Sequence, residues 1–138
     1  MKTKHYLTAA DVEILVDAAL QYATEHSFNV SIAVVDDGGT LLMMKRMDDA
    51  SVLSTQICQE KAHSAAVSRR ATKVSEDLIR DGKIGFLTVN AAKGMLEGGE
   101  PIVYQGQVVG AVGVSGVQSF QDAEIAQYAI QQFLGKQA

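Results

Sequence analysis

Apolar residues recur every three or four positions along several stretches of the chain, the spacing of helices that bury one face. In the first stretch, Thr8 stands three residues before Asp11, a pairing typical of a helix N-cap, and the pattern ends at His26. A fourth helix is predicted to open at Ser119, with Asp122 in its first turn. The four predicted helices cover residues 8–26, 51–69, 74–80 and those from 119 onward.

Between these stretches the pattern changes to that of strands joined in pairs. VSIAVVD (30–36) and TLLMMKRM (40–47) flank the turn residues DGG, and PIVYQ and QVVGAVGVS flank Gly106. Hairpins with helices before, between and after them predict an α+β domain, in which helices cover an antiparallel sheet. Its 138 residues fit a single domain, 1–138.

The last predicted strand continues into GAVGVSG, which is made only of small residues and valine. Alternation places Val109, Ala111, Gly113 and Ser115 on one face, which loses bulk along the strand. Two interpretations are open: a helix packs tightly on this face, or a ligand or partner chain contacts the exposed backbone. Seven of the twelve glycines lie between Gly94 and Gly116, which favours a site at this end of the fold.

Lys61 falls in the middle of the apolar stripe of the predicted helix 51–69. Burying a lone ammonium group is costly, so Lys61 must form an ion pair, reach the surface, or bind an anionic ligand. Asp36 and the neighbourhood of Glu60 are the candidate partners for an ion pair. His63 points away from the stripe, which predicts exposure or a subunit contact.

Composition excludes several classes of function. The net charge of −4, without a basic patch, predicts no nucleic-acid partner. No apolar run approaches the roughly 20 residues that cross a bilayer, and the polar N-terminus predicts a cytoplasmic protein. One cysteine and three histidines without metal-ligand spacing predict no metal site and no legible catalytic constellation. Apolar residues outside the main stripes, such as Val52, predict a homo-oligomer, a dimer or larger.

Four blocks of sequence together resemble one known family. They are VSIAVVDDGGTLLMMKRMDDA, QEKAHSAA, GGEPIVYQGQVVGAVGVSG and QDAEIA, within a match from Leu7 to Leu134. In this order they are similar to the GlcG/HbpS family, often labelled "haem-degrading", which is related to the C-terminal domain of PduO-type corrinoid adenosyltransferases. The resemblance implies a profilin-like fold with about five strands, homo-oligomers, and haem or a related tetrapyrrole as ligand. It also implies a link to glycolate or to diol and glycerol metabolism.

The resemblance also implies a set of ligand-binding positions. They are Asp36, Arg46, Lys61, Gly98, Gly99, Pro101, Gly113 and Ser115. The chain departs from the usual family pattern at His63 and at Arg70-Ala71. A haem site needs an axial ligand on an apolar cleft. His5 and His63 are the candidate histidine ligands, and Met43, Met44 and Met47 are the candidate methionines.

These observations favour a small cytoplasmic, oligomeric binding or accessory protein for a tetrapyrrole or another small anionic molecule. Its cleft is expected beside Gly98 and Gly99, where Lys61 or Arg46 neutralises a ligand carboxylate. A second hypothesis is an enzyme acting on a small carboxylate or carbonyl compound, with Lys61 as base or Schiff-base former and Asp36 as its partner. A third is a ligand-free interaction module for a cobalamin-dependent enzyme.

Overall fold

Two β-hairpins and four α-helices form the fold of residues 1–137, which a computed structural model describes. The elements are α1 (Ala9–Glu25), β1 (Ser31–Asp36), β2 (Leu41–Arg46), α2 (Val52–Ser68), α3 (Thr72–Arg80), a 3-10 helix (Ile84–Thr88), β3 (Gly99–Tyr104), β4 (Gln107–Ser115) and α4 (Ser119–Gly135). The strands form one antiparallel sheet in the order β2-β1-β4-β3. The α+β class is confirmed, but the sheet has four strands where the resemblance implied about five.

Local sequence sets the helix ends largely as predicted. Thr8 caps α1: its hydroxyl accepts from Asp11 N, and the Asp11 carboxylate accepts from Thr8 N. Helix α4 differs, because its N-cap is Gln118, whose backbone N–H donates to Gln121 Oε1 at 3.2 Å. Among residues 1–137, no helix combines the length and the apolar character needed to cross a membrane.

The sheet separates two layers of helix. Ile32, Val34, Val112 and Val114 lie in the larger core with α1 and α4, whereas Ala33, Val35 and Ala111 pack with the alanines of α2. This is the alternation that the sequence predicts, with one exception. The register between β3 and β4 shifts between Ile102 and Val103, so Val109 has no partner residue on β3. Its side chain therefore lies in the larger core and not on the face of Ala111.

The small-residue face of β4 lies directly under α2. A Cβ atom at Gly113 would overlap the carbonyl oxygen of Cys58 and lie 2.5 Å from the backbone nitrogen of Ala62. A Cβ atom at Gly99, on β3, would similarly overlap the carbonyl oxygen of Lys61. Of the two interpretations of GAVGVSG, tight helix packing is therefore the one found within the protomer.

Candidate functional site

Lys61 and Asp122 form a buried ion pair between α2 and α4. Lys61 is 2% exposed, and its Nζ atom donates to Asp122 Oδ2 at 3.1 Å and to the Val114 carbonyl oxygen at 2.9 Å. The other carboxylate oxygen of Asp122 accepts from Val117 N at 3.2 Å. Burial raises the pKa of Asp122 to about 6, although the Lys61 ammonium opposes this shift. Two of the three N–H donors of the ammonium are thus engaged by oxygens of the protein itself.

The predicted Gly98–Gly99 loop packs onto this ion pair. Gly98 has φ +132°, and a Cβ atom there would lie 2.7 Å from Lys61 Nζ. Its carbonyl oxygen accepts from Val114 N at 3.0 Å, and Gly99 N donates to Thr72 Oγ1 at 2.9 Å. The loop therefore closes over the lysine, and Pro101 continues from it into β3 opposite Ala111.

Asp36 and Arg46 lie at opposite ends of the β1–β2 hairpin. Asp36 Oδ1 accepts from Gly38 N and Thr40 N, both at 2.9 Å, and so holds the β1–β2 turn. Asp36 pairs with Gly110, five residues along β1 from the Ser31–Ser115 pair, a separation of about 16 Å. Arg46, at the Ser31 end, donates from Nε to the Ala50 carbonyl oxygen at 3.1 Å.

His63 faces a cavity of about 350 Å³ on the other side of α2. The β1–β2 turn, α2 and the segment 90–93 border it, and it is open to the surface; the lining residues are Val35, Gly39, Leu41, Gln59, Glu60, His63, Asn90, Ala91 and Lys93. His63 Nδ1 lies 3.0 Å from the Gly39 carbonyl oxygen, and Nε2 lies 2.8 Å from that of Ala91. The ring therefore links the turn to segment 90–93 across the cavity.

The other two histidines have different surroundings. His5 lies edge-on to Tyr104, with ring centroids 5.0 Å apart, at a smaller cavity of about 160 Å³. His26 stacks on Tyr22 at 4.0 Å, and its Nδ1 lies 2.8 Å from the Tyr22 carbonyl oxygen. His63 thus adjoins a larger cavity than His5 does.

The sulfur-containing side chains are mostly occupied by packing. Met43 packs against the larger core and Met44 against the alanines of α2, while Met47 Sδ accepts from Val30 N at 3.5 Å. Cys58 is fully buried, and burial raises the pKa of its thiol to about 12. Within residues 1–137, no three His, Cys, Asp or Glu side chains are grouped so as to hold a metal ion.

Two contributors to this region were not predicted from the sequence. Asp122 was assigned to the opening of α4, and nothing in its local pattern indicates a lysine 61 residues away. The segment 90–93 has no regular secondary structure, so no periodicity signals its contact with His63. The sequence does offer one indication: a buried lysine needs an acidic partner, and Asp122 is an acidic residue in the first turn of a helix.

The chain is thus an α+β protein in which an antiparallel sheet lies between two layers of helix, and a cavity lined by His63 lies beside α2. Residues 7–131 match the family described as "Haem degrading protein HbpS-like". The chain belongs to that family.

Relatives and solved structures agree with this assignment. GlcG of Escherichia coli strain K12 is 44% identical over 115 residues, which are 83% of this chain and 85% of that protein. The crystal structure of the Klebsiella pneumoniae protein ORFY superimposes with a TM-score of 0.92 at 33% identity and covers 99% of this chain and 97% of its own. A structure described as the PduOC:haem complex superimposes with a TM-score of 0.84 at 28% identity, covering 93% and 95%.

Proposed function

We propose that this chain is a binding protein for haem or a related tetrapyrrole, and that the His63 cavity is its site. The observation that carries the proposal is a histidine on the wall of a cavity of about 350 Å³, within the size range of small-molecule sites. The family description and the haem complex of a structural neighbour at 28% identity support the choice of ligand.

The hydrogen bonds of His63 suit an axial ligand. A histidine that binds a metal through one ring nitrogen commonly donates the N–H of the other to a carbonyl oxygen. The Gly39 carbonyl oxygen, 3.0 Å from Nδ1, is placed for that role. Nε2 then carries the lone pair for iron, so we expect the Ala91 carbonyl oxygen to move away from it when haem binds.

The segment that must move also divides two cavities. Ala91 lines the His63 cavity and a second cavity of about 330 Å³. Asn90 and Ala91 are exposed and lie outside helices and strands, so few packing contacts oppose their displacement. A shift of Ala91 would release Nε2 and join the two spaces, giving room for a ligand as large as a tetrapyrrole.

Titration with ferric haem and alanine variants of the three histidines tests the proposal. The wild type is expected to shift the Soret band, and His63→Ala to lose the imidazole-ligation spectrum and to weaken binding about tenfold or more. His26→Ala is the matched control, because His26 packs on Tyr22 outside the cavity, and its spectrum should equal the wild type. Added imidazole should restore the spectrum of His63→Ala.

Two results would contradict this assignment. A wild-type protein that leaves the Soret band unshifted rejects haem as the ligand. A spectrum lost in His5→Ala but kept in His63→Ala rejects the His63 cavity and moves the site to the smaller cavity beside Tyr104.

The alternative with Lys61 as Schiff-base former draws no support from its surroundings. Attack on a carbonyl requires a neutral and accessible amine, whereas Lys61 Nζ donates to a carboxylate and to a backbone carbonyl oxygen in a buried position. The proposal therefore treats Lys61 as a structural residue.

We also propose that the protein is a cytoplasmic homo-oligomer. Leu53, which periodicity places on the buried stripe of α2, is 62% exposed, and Val52 beside it is 71% exposed. Leu41 and Leu42 are exposed on β2, an edge strand with unpaired backbone groups. Light scattering at micromolar concentration is expected to give the mass of a dimer or larger, and Leu53→Glu to reduce it; a monomeric wild type overturns the expectation.

A further inference from the structure

The second cavity lies on the other side of Ala91, between α2, α3 and the 3-10 helix. Its apolar wall includes Phe86, Val89 and Met95, and Ser64 and Ser75 add hydroxyl groups. Arg70 is the one charged side chain among its lining residues. The cavity therefore combines an apolar interior with a single fixed positive charge.

The Arg70 guanidinium is unusual because part of it is buried without a partner. Its Nε atom is buried and has no hydrogen-bond acceptor among residues 1–137, and no carboxylate in this part of the chain forms an ion pair with it. The guanidinium carbon lies over the Phe86 ring, 5.8 Å from its centre, which is within the range of a cation–π contact. A buried donor without an acceptor is unfavourable, and in native proteins it points to a missing partner.

We propose that this second cavity binds the carboxylate of a compact apolar molecule, with Arg70 as its charged partner. A carboxylate accepts two parallel N–H bonds from a guanidinium edge and would satisfy the Nε donor. The single positive charge matches a monoanion, and the apolar wall of Phe86, Val89 and Met95 matches a largely apolar body.

The same carboxylate chemistry has two sources. One is a free organic acid that occupies the second cavity alone. The other is a propionate of a tetrapyrrole bound beside His63, since Ala91 lines both cavities. The propionate source rests on the proposed function, whereas the free-acid source does not.

Benzoate is the probe for the free acid, and benzamide, which has the same shape without the charge, is its control. Wild-type protein titrated by NMR chemical shifts is expected to bind benzoate with a Kd on the order of 1 mM and benzamide at least about tenfold more weakly. Arg70→Met and Arg70→Gln should each weaken benzoate about tenfold. Phe86→Leu, which keeps an apolar wall, should weaken it by a smaller factor.

Haem and its dimethyl ester test the propionate source. If a propionate contacts Arg70, Arg70→Gln should weaken haem about tenfold, leave the dimethyl ester unaffected, and leave the His63-dependent Soret spectrum intact at saturation. If haem causes no Soret shift with the wild type, the proposed function is rejected. The benzoate titration still tests the carboxylate site independently.

The unfolding temperature without ligand separates a binding role from a structural one. If Arg70 awaits a ligand, Arg70→Met removes an unsatisfied donor, and the unfolding temperature should be unchanged or higher. A clearly lower unfolding temperature overturns the proposal, because it assigns Arg70 to the protein's own stability. The proposal also fails if benzoate binds no better than benzamide and Arg70→Gln leaves haem and its dimethyl ester equally bound.

Discussion

Replacing Lys61 with methionine is expected to lower the free energy of unfolding by about 3–5 kcal/mol. The substitution keeps the apolar length of the side chain but removes the cation, so Asp122 is left as a buried carboxylate without its partner. The Val114 carbonyl oxygen also loses a donor. Urea denaturation followed by far-UV circular dichroism measures the change, because the chain has no tryptophan for fluorescence.

Two further variants distinguish the loss of the buried ion pair from the loss of a lysine in general. Lys45→Met, at an exposed position on β2, should change the free energy of unfolding by less than about 0.5 kcal/mol. Lys61→Met combined with Asp122→Leu should recover much of the loss, because an apolar pair of similar volume often replaces a buried ion pair without cost. A Lys61→Met protein as stable as Lys45→Met would contradict the structural role of the pair.

The pH dependence of the Lys61→Met defect follows from Asp122. Burial holds the pKa of this carboxyl group in the folded state at about 6, above its ordinary value of 3.8, and loss of Lys61 removes the main influence that lowers it. When the pKa of a group is higher in the folded than in the unfolded state, its protonation stabilises the fold. This stabilisation is complete below the unfolded pKa and is lost as the pH rises through the folded pKa. The defect should therefore be smaller at about pH 5 than at about pH 8.

The sequence predicts the elements of this fold well because their signals are local. The cap at Thr8 and the alternation of β1 depend on neighbours a few residues apart. The bulge at Val109 was missed, because it depends on the pairing of β4 with β3 and leaves no mark in the order of residues. Lys61 was predicted to be buried, but its partner was not, since that contact joins two distant helices.

The small-residue face of β4 could not be interpreted from the sequence for a different reason. Both a helix packed at backbone distance and a ligand contacting exposed backbone require glycine and alanine, so residue types alone leave the two interpretations equal. The structure places α2 there, and the proposed site lies on another side of the same helix. His63 follows Lys61 by two positions, about 200° around the helix axis, so one helix carries the buried ion pair and the cavity histidine.

That dependence on one helix predicts a severe effect at Gly113. In Gly113→Ala, the new Cβ atom meets the backbone of α2 at Cys58 and Ala62, and neither backbone group can rotate away as a side chain would. We expect the free energy of unfolding to fall by about 3 kcal/mol or more, above the usual cost of an overfilled core. Because α2 must shift, His63 should also lose its fixed distance from Gly39, and haem affinity should fall together with stability.

Substitutions at two other glycines distinguish the effect of steric overlap from the effect of backbone conformation. Nothing lies within 4 Å of a Cβ atom at Gly85 or at Gly106, but Gly106 has φ +78° and Gly85 has no such constraint. Gly85→Ala should therefore be neutral or stabilising by about 0.5 kcal/mol, and Gly106→Ala should cost about 1–2 kcal/mol without changing haem affinity. If Gly113→Ala unfolds no more easily than Gly106→Ala, α2 does not rest on the β4 backbone in solution, and the position assigned to His63 loses its support.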